Sequence, residues 1–317
     1  MLLVFVTMVI LTAETQPKPL GIREPGVQRP IATIHPEAVF PIPGFPDWVL
    51  ILRDSVWIGN KPKNTITRLD PKTNKIVTTI PVGQLPCSGL VAAFGSVWVP
   101  SCGDKTLSRV DVATNKVVAK LPFGPADTEG TITAGDDSIW YLTDPKGLLL
   151  RIDPKTNQPV ARITVPTGSF AAEYGEKAVW VTCTAGNTLA RVDPSTNRVT
   201  ATIKVGPKPR FLAVGEGAVW TLNQGDGSVS RVDPKTNRVV ATIATGVPGP
   251  GGDIAVGEGS VWVTMDEVPL MRIDIASNKV VQQWVGPGGD SLRVGLGSVW
   301  LTNHKEQNVW RFSPKQP

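Results

Sequence analysis

Histidine is scarce in this 317-residue chain, with only His35 and His304 present. His35 precedes the repeated part of the sequence, so zinc chemistry that needs two histidines is excluded from the main body. Cysteine is nearly as rare: Cys87, Cys102 and Cys183, with no CxxC pair. There is no GxSxG elbow, Walker loop or dinucleotide fingerprint, which removes the usual sequence signs of hydrolase, nucleotide-triphosphate and Rossmann chemistry. No stretch carries a sustained apolar stripe of helical period with caps, so helices are not expected. The one long apolar run, residues 1–13 (MLLVFVTMVILTA), is shorter than the roughly 20 residues of a membrane span. It reads as a secretory h-region without a basic leader, cleaved after Ala13. No cysteine lies near it to serve as a lipid anchor. The expectation is export to the periplasm or beyond, with no transmembrane segment in the mature form.

What the chain has is repetition. A tryptophan in an SVW or AVW setting recurs at Trp57, Trp98, Trp140, Trp180, Trp220, Trp262 and Trp300, at spacings of 41, 42, 40, 40, 42 and 38 residues. An Arg-apolar-Asp unit keeps the same beat, from Arg68-Leu69-Asp70 to Arg272-Ile273-Asp274, and ends as Arg311-Phe312-Ser313. A fixed period near 40 marks a repeat architecture. Each repeat divides into four short alternating segments rich in valine and threonine, punctuated by glycine or proline, which is a strand pattern. Four strands in each of seven repeats predict an all-β, seven-bladed β-propeller. The last repeat stops before a fourth strand. The N-terminal Ala38–Gly44 stretch resembles that missing strand and is expected to close the ring, leaving no open sheet edge. The expected organisation is a signal-like segment over 1–13, a proline-rich linker over 14–36, the propeller over 37–313 and a tail over 314–317.

The net charge of +5 does not point to nucleic acid. Many basic residues sit in a recurring DPKTNK/R turn spread round the ring, and no basic groove with interleaved aromatics can be traced. The turn itself reads as scaffold: Asp accepts backbone hydrogen bonds, Pro presets φ, and Asn tolerates the left-handed conformation. The repeated tryptophans read as fillers of the wedge between blades, with the following arginine stacked on the ring or paired with an acid. If Phe94-Gly95-Ser96 turns between two strands, Cys87 and Cys102 lie at the same end of one hairpin, within disulfide reach.

Chain direction places the uniform turns on one face and the loops that differ between repeats on the other, where binding or catalysis is usually grafted. Those variable loops carry Asp47, Trp48, Asn60, Asp127, Glu129, Arg210, Asn223, Asp253, Asp290, Asn303 and His304. Blades six, seven and one meet in the closed ring. Their Asp253, Asp290 and Asp47 are a candidate set for a hard cation, Ca²⁺ or Mg²⁺. His304 and Glu129 are the candidate acid–base residues. Asp47, Trp48, Asn60, Arg210, Asn223, Asp253, Asp290 and Asn303 are candidates for contacting a ligand.

The text SVWVP…LSRVDVATNKVVAKLPFG at residues 96–124, and its fellows, resembles the repeat of bacterial YncE and YVTN-type propellers and is similar to the streptogramin (virginiamycin B) lyases. The first resemblance implies the propeller fold, and the near-uniform scaffold without a complete catalytic set favours a binding scaffold for a small molecule, a polysaccharide or an envelope protein, expected as a monomer. The second implies a metal-dependent enzyme opening a lactone by elimination with paired histidines, a glutamate and Mg²⁺; this ring offers His304 alone. Resemblance to lactonase-type propellers implies Ca²⁺ held by Glu, Asn and Asp side chains, for which Glu129, Asn223, Asn303 and Asp253 have suitable chemistry.

Overall fold

Seven antiparallel sheets stand round a central axis in the computed structural model, which describes residues 20–126 and 129–315. The signal-like segment and Asp127 fall outside the described residues. Blade one is typical: Pro46–Leu52 lies innermost, followed outward by Ser55–Asn60, Thr65–Asp70 and Lys75–Pro81. The second strand of that blade is buried at every position, as are Ser96–Ser101, Ala178–Cys183, Ala218–Asn223 and Ser298–Asn303. Neighbouring blades cover both faces of this strand, which explains why its sequence runs apolar without alternation. Outermost strands such as Arg198–Lys204 alternate between exposed residues and half-buried or buried ones. All seven repeat tryptophans are at most 1% exposed. Each removes about 150–250 Å² from water, on the order of 4–6 kcal/mol before conformational entropy is counted.

The recurring turn of the first six repeats does more than reverse the chain. Asp70 accepts hydrogen bonds from the Lys72 N–H and the Thr73 hydroxyl, each at 2.8 Å, and Asn74 adopts a left-handed φ of 52°. The arginine of each Arg-apolar-Asp unit lies over its own blade's tryptophan, as with Arg109 at 4.8 Å from the Trp98 ring. In five of the seven units, those of Arg68, Arg109, Arg151, Arg231 and Arg311, the guanidinium then reaches the turn of the next blade. Arg109 donates to the Pro154 carbonyl at 2.6 Å and to Asn157 Oδ1 at 2.9 Å. Arg68, Arg151 and Arg231 repeat that latch on Asn115, Asn197 and Asn278. Arg311 carries it across the seam to Asn74 at 2.8 Å. Stacking is thus the general arrangement. An acid partner is seen in Arg151 with Asp136 at 3.2 Å and in Arg311 with Glu37 at 3.7 Å.

The ring closes as expected: Ala38–Pro41 pairs antiparallel with Asn308–Phe312, Val39 opposite Trp310. Cys87 and Cys102 form a disulfide with Cα atoms 5.8 Å apart, while Cys183 is a buried free thiol. The linker expectation does not hold from Leu20 onward. Gln28–Pro30 adds a fifth, parallel strand to the outer edge of blade six, Gln28 opposite Gln283. Ile31 and Ile34 are buried against Trp262 and Trp284. Proline is tolerated there because an edge strand need not donate from every N–H. No helix among the described residues is long and apolar enough to cross a membrane.

Candidate functional site

The variable loops gather at one mouth of the channel, where a chain of charges spans three blades. Asp47 is the second residue of the innermost strand of blade one and is 5% exposed. Lys61 stands just beyond Asn60 on a short 3-10 turn, Lys61–Lys63. Its ammonium lies 2.6 Å from Asp47 and 3.5 Å from Glu129 of blade three. Glu129 in turn pairs with Arg210 of blade five at 2.7 Å. Burial pushes the Asp47 carboxyl well above its ordinary range; Lys61 opposes this and the nearby Asp290 adds to it. For Lys61, burial pulls downward but the Asp47 carboxylate outweighs it, so the net shift is upward.

Aromatic rings flank the chain. The Arg210 guanidinium sits 4.6 Å from the Phe170 ring centroid and 5.2 Å from that of Phe211. Phe45 stacks on His304 with centroids 4.4 Å apart and lies beneath Lys61 at 5.2 Å. His304 Nδ1 is 3.6 Å from the Asp290 carboxylate. Beside this pair a cavity of about 580 Å³ opens between blades six and seven, lined by Asp266, Glu267, Gly286–Gly289, His304 and Lys305. Burial, then the Asp290 charge, raises the Asp266 carboxyl.

Asp253 is engaged on all sides. It is 3% exposed, pairs with Arg293 at 2.6 Å, and accepts hydrogen bonds from the Ser291 hydroxyl and the Ile254 N–H, both at 2.8 Å. The three carboxylates expected to hold a cation therefore have other occupations: Asp47 with Lys61, Asp253 with Arg293, and Asp290 with His304. Among the described residues no group of three or more His, Cys, Asp or Glu side chains comes together to hold a metal ion. Of the lactonase-like set, Asn223 and Asn303 hydrogen-bond within their own loops. Asn223 donates to Ser228 and Ser230 at 3.0 and 2.9 Å. Asn303 accepts from the Gly289 N–H at 2.8 Å. Asn60 staples Phe45 and Pro43 in the same manner. His304 pairs with Asp290, while Glu129 pairs with Lys61 and Arg210.

Below the mouth, a cavity of about 180 Å³ lies on the channel axis, walled in part by Trp48, Gly89, Gly130, Ala171 and Phe211. In every blade, the residue seven places before the repeat tryptophan pairs with it across the first two strands. These residues are Leu50, Val91, Thr133, Glu173, Ala213, Ala255 and Arg293. Within this layer Glu173 and Arg293 are the only charged members. Burial lifts the Glu173 carboxyl to about 7, more than the Arg293 charge and the Val214 N–H draw it back. Neither residue was among the sequence candidates, although reading one column down the aligned repeats isolates both. Lys61 and Phe45 had no such signal.

At the sequence level no family model matches the chain and no curated protein matches it significantly. Solved structures match in fold. A streptogramin B lyase superposes with a TM-score of 0.73 at 18% identity, covering 86% of this chain and 95% of its own. Virginiamycin B lyase from Staphylococcus aureus gives 0.73 at 17% identity, with 87% and 98% covered. Kuenenia stuttgartiensis hydrazine synthase gives 0.72 at 14% identity, with 87% and 97% covered. At these identities the likeness establishes a shared seven-bladed propeller fold.

Proposed function

We propose that this protein is an exported β-propeller that acts as a binding scaffold, taking a small molecule, a polysaccharide or an envelope protein on its variable-loop face. The observation that carries the reading is the Asp47–Lys61–Glu129–Arg210 chain across the mouth. It presents alternating charge beside Phe45, Phe170 and Phe211, and its acids are neutralised by the protein's own cations. Such a surface offers polar and aromatic contacts without an open cation site or an assembled acid–base set. The apolar leader and the Cys87–Cys102 disulfide support export, since disulfides persist in oxidising compartments.

A second reading is a metal-dependent lyase or lactonase. It is favoured by the fold shared with streptogramin lyases and by His304 beside Asp290 at the 580 Å³ cavity. Thermal unfolding with EDTA, Ca²⁺ or Mg²⁺ separates the two. A cation at about 100 times its Kd adds roughly 2.7 kcal/mol, several degrees for a domain of this size. The scaffold reading expects coincident melting curves. It also expects a ligand from a panel of envelope glycans, proteins and metabolites to bind, and the Glu129→Gln variant to bind it more weakly. A cation-dependent shift that disappears in Asp290→Asn would overturn it in favour of the enzyme.

A further inference from the structure

The channel cavity lies beneath the mouth and does not depend on the reading given to the mouth. Its charged lining groups are Glu173 on one side and the Arg293–Asp253 pair on the other. Glu173 belongs to blade four and Arg293 to blade seven, three steps apart in a ring of seven and so nearly opposite across the axis. The layer between them is otherwise uncharged. Arg293 is held by Asp253 at 2.6 Å and lies 5.7 Å from the Trp48 ring. Its side chain remains 33% exposed, toward the cavity it lines. Among the described residues no cation forms an ion pair with Glu173; Arg293 and Asp253 are the charges that act on it. Gly89 and Gly130 keep the space open. A Cβ on Gly130 would meet the Ala171 Cβ at 2.9 Å.

An apolar guest would desolvate both poles without compensation. A simple cation would face Arg293, and a simple anion would face Glu173 and Asp253. A short molecule carrying both charges satisfies each pole at once. We propose that this cavity binds a small zwitterion of the α-amino-acid type. Its ammonium sits on the Glu173 carboxylate, its carboxylate on the Arg293 guanidinium, and its carbon frame lies against Trp48 and Phe211. Trp48 and Phe211 already pack edge to face at 5.8 Å, forming an apolar wall on one side.

The test is isothermal titration calorimetry on the full chain at pH 7, in two buffers of different ionisation enthalpy. The probes are glycine, L-alanine and L-serine, with ethylamine and propionate as single-charge analogues. An ammonium beside Glu173 favours its ionised form. Since burial holds that carboxyl near 7, uptake releases about half a proton per site. The expected result is binding of at least one amino acid, tenfold or more tighter than either analogue, with that proton release. Glu173→Gln preserves shape and adds no buried charge; in it affinity falls at least tenfold and proton release vanishes while the melting curve stays cooperative. The proposal is overturned if no amino acid gives heat or if ethylamine or propionate binds equally well. It also falls if Glu173→Gln leaves proton release unchanged.

Discussion

Lys61 is the cation on which two mouth carboxylates depend, and Asp47 is the more exposed to its loss because water cannot take its place. Lys61→Met leaves Asp47 buried without a counter-ion, a change that costs about 3–5 kcal/mol in comparable pairs. Chemical denaturation should show a loss of that order, with most of it recovered in the Lys61→Met/Asp47→Asn double variant. Equal losses in single and double variants would mean the pair is not coupled. Glu173 has the opposite sign with respect to pH. Its folded-state value of about 7 lies above that of an exposed glutamate, so the folded state binds the proton more tightly. Stability attached to this group is full at acid pH and falls as pH rises through the interval up to about 7, by at most about 3 kcal/mol. Glu173→Gln should therefore match the parent near pH 4 and exceed it at pH 8; parallel profiles would refute the buried-carboxyl account. The two residues also differ in legibility. Glu173 occupies a fixed column of the repeat and interrupts its apolar character, so the sequence contains it for anyone aligning the blades. Lys61 sits one place past a strand, in a loop without register, and its partner Glu129 is 68 positions away.

At the scale of the element, the recurring turn was readable because its chemistry is local. Asp, Pro and Asn each answer a backbone requirement within a few positions. Its second role was not readable, because the arginine that latches an Asn lies more than 40 residues away in sequence and meets it only once blades pack. Arg191 gives an internal comparison. It lies over Trp180 at 5.7 Å like its counterparts, but its Nε and Asn237 Oδ1 have no hydrogen-bond partner. Arg109→Met removes stacking together with bonds to Pro154, Asn157 and Ser96; Arg191→Met removes mainly stacking. Hydrogen bonds to a charged group contribute about 1.5–3 kcal/mol, so the Arg109 variant should be the less stable by about 2 kcal/mol in urea unfolding. Equal losses would show that the latch adds little beyond the cation–π contact. The same reasoning explains why the bonds of Asn60, Asn223 and Asn303 to their own loops were not readable. An amide at a strand end looks the same in sequence whether it faces solvent or staples its own loop.

The whole ring was legible from seven tryptophans on one beat, because a period near 40 with a strand pattern leaves few architectures to choose from. The N-terminal arm was legible only in half. Ala38–Pro41 resembles other fourth strands, whereas Gln28–Pro30 is three residues ending in a proline and pairs parallel to a strand some 255 positions later. Sequence pattern has no short-range cue for such pairing. The two pieces should have separable effects on the molecule. A chain beginning at Glu37 lacks the parallel strand and the burial of Ile31 and Ile34, each worth roughly 1.5–3 kcal/mol, but keeps the seam closed. It should melt earlier yet remain monomeric. A chain beginning at Phe45 also lacks Ala38–Pro41, so blade seven ends at Asn308–Phe312 with a row of unpaired N–H and C=O groups. Exposed edges of that kind pair with other chains. Light scattering after size-exclusion chromatography should show concentration-dependent association for the second chain and none for the first. If both elute as monomers with the same melting temperature, the seam strand does not close the ring, and blade seven must be held by its packing against blades six and one.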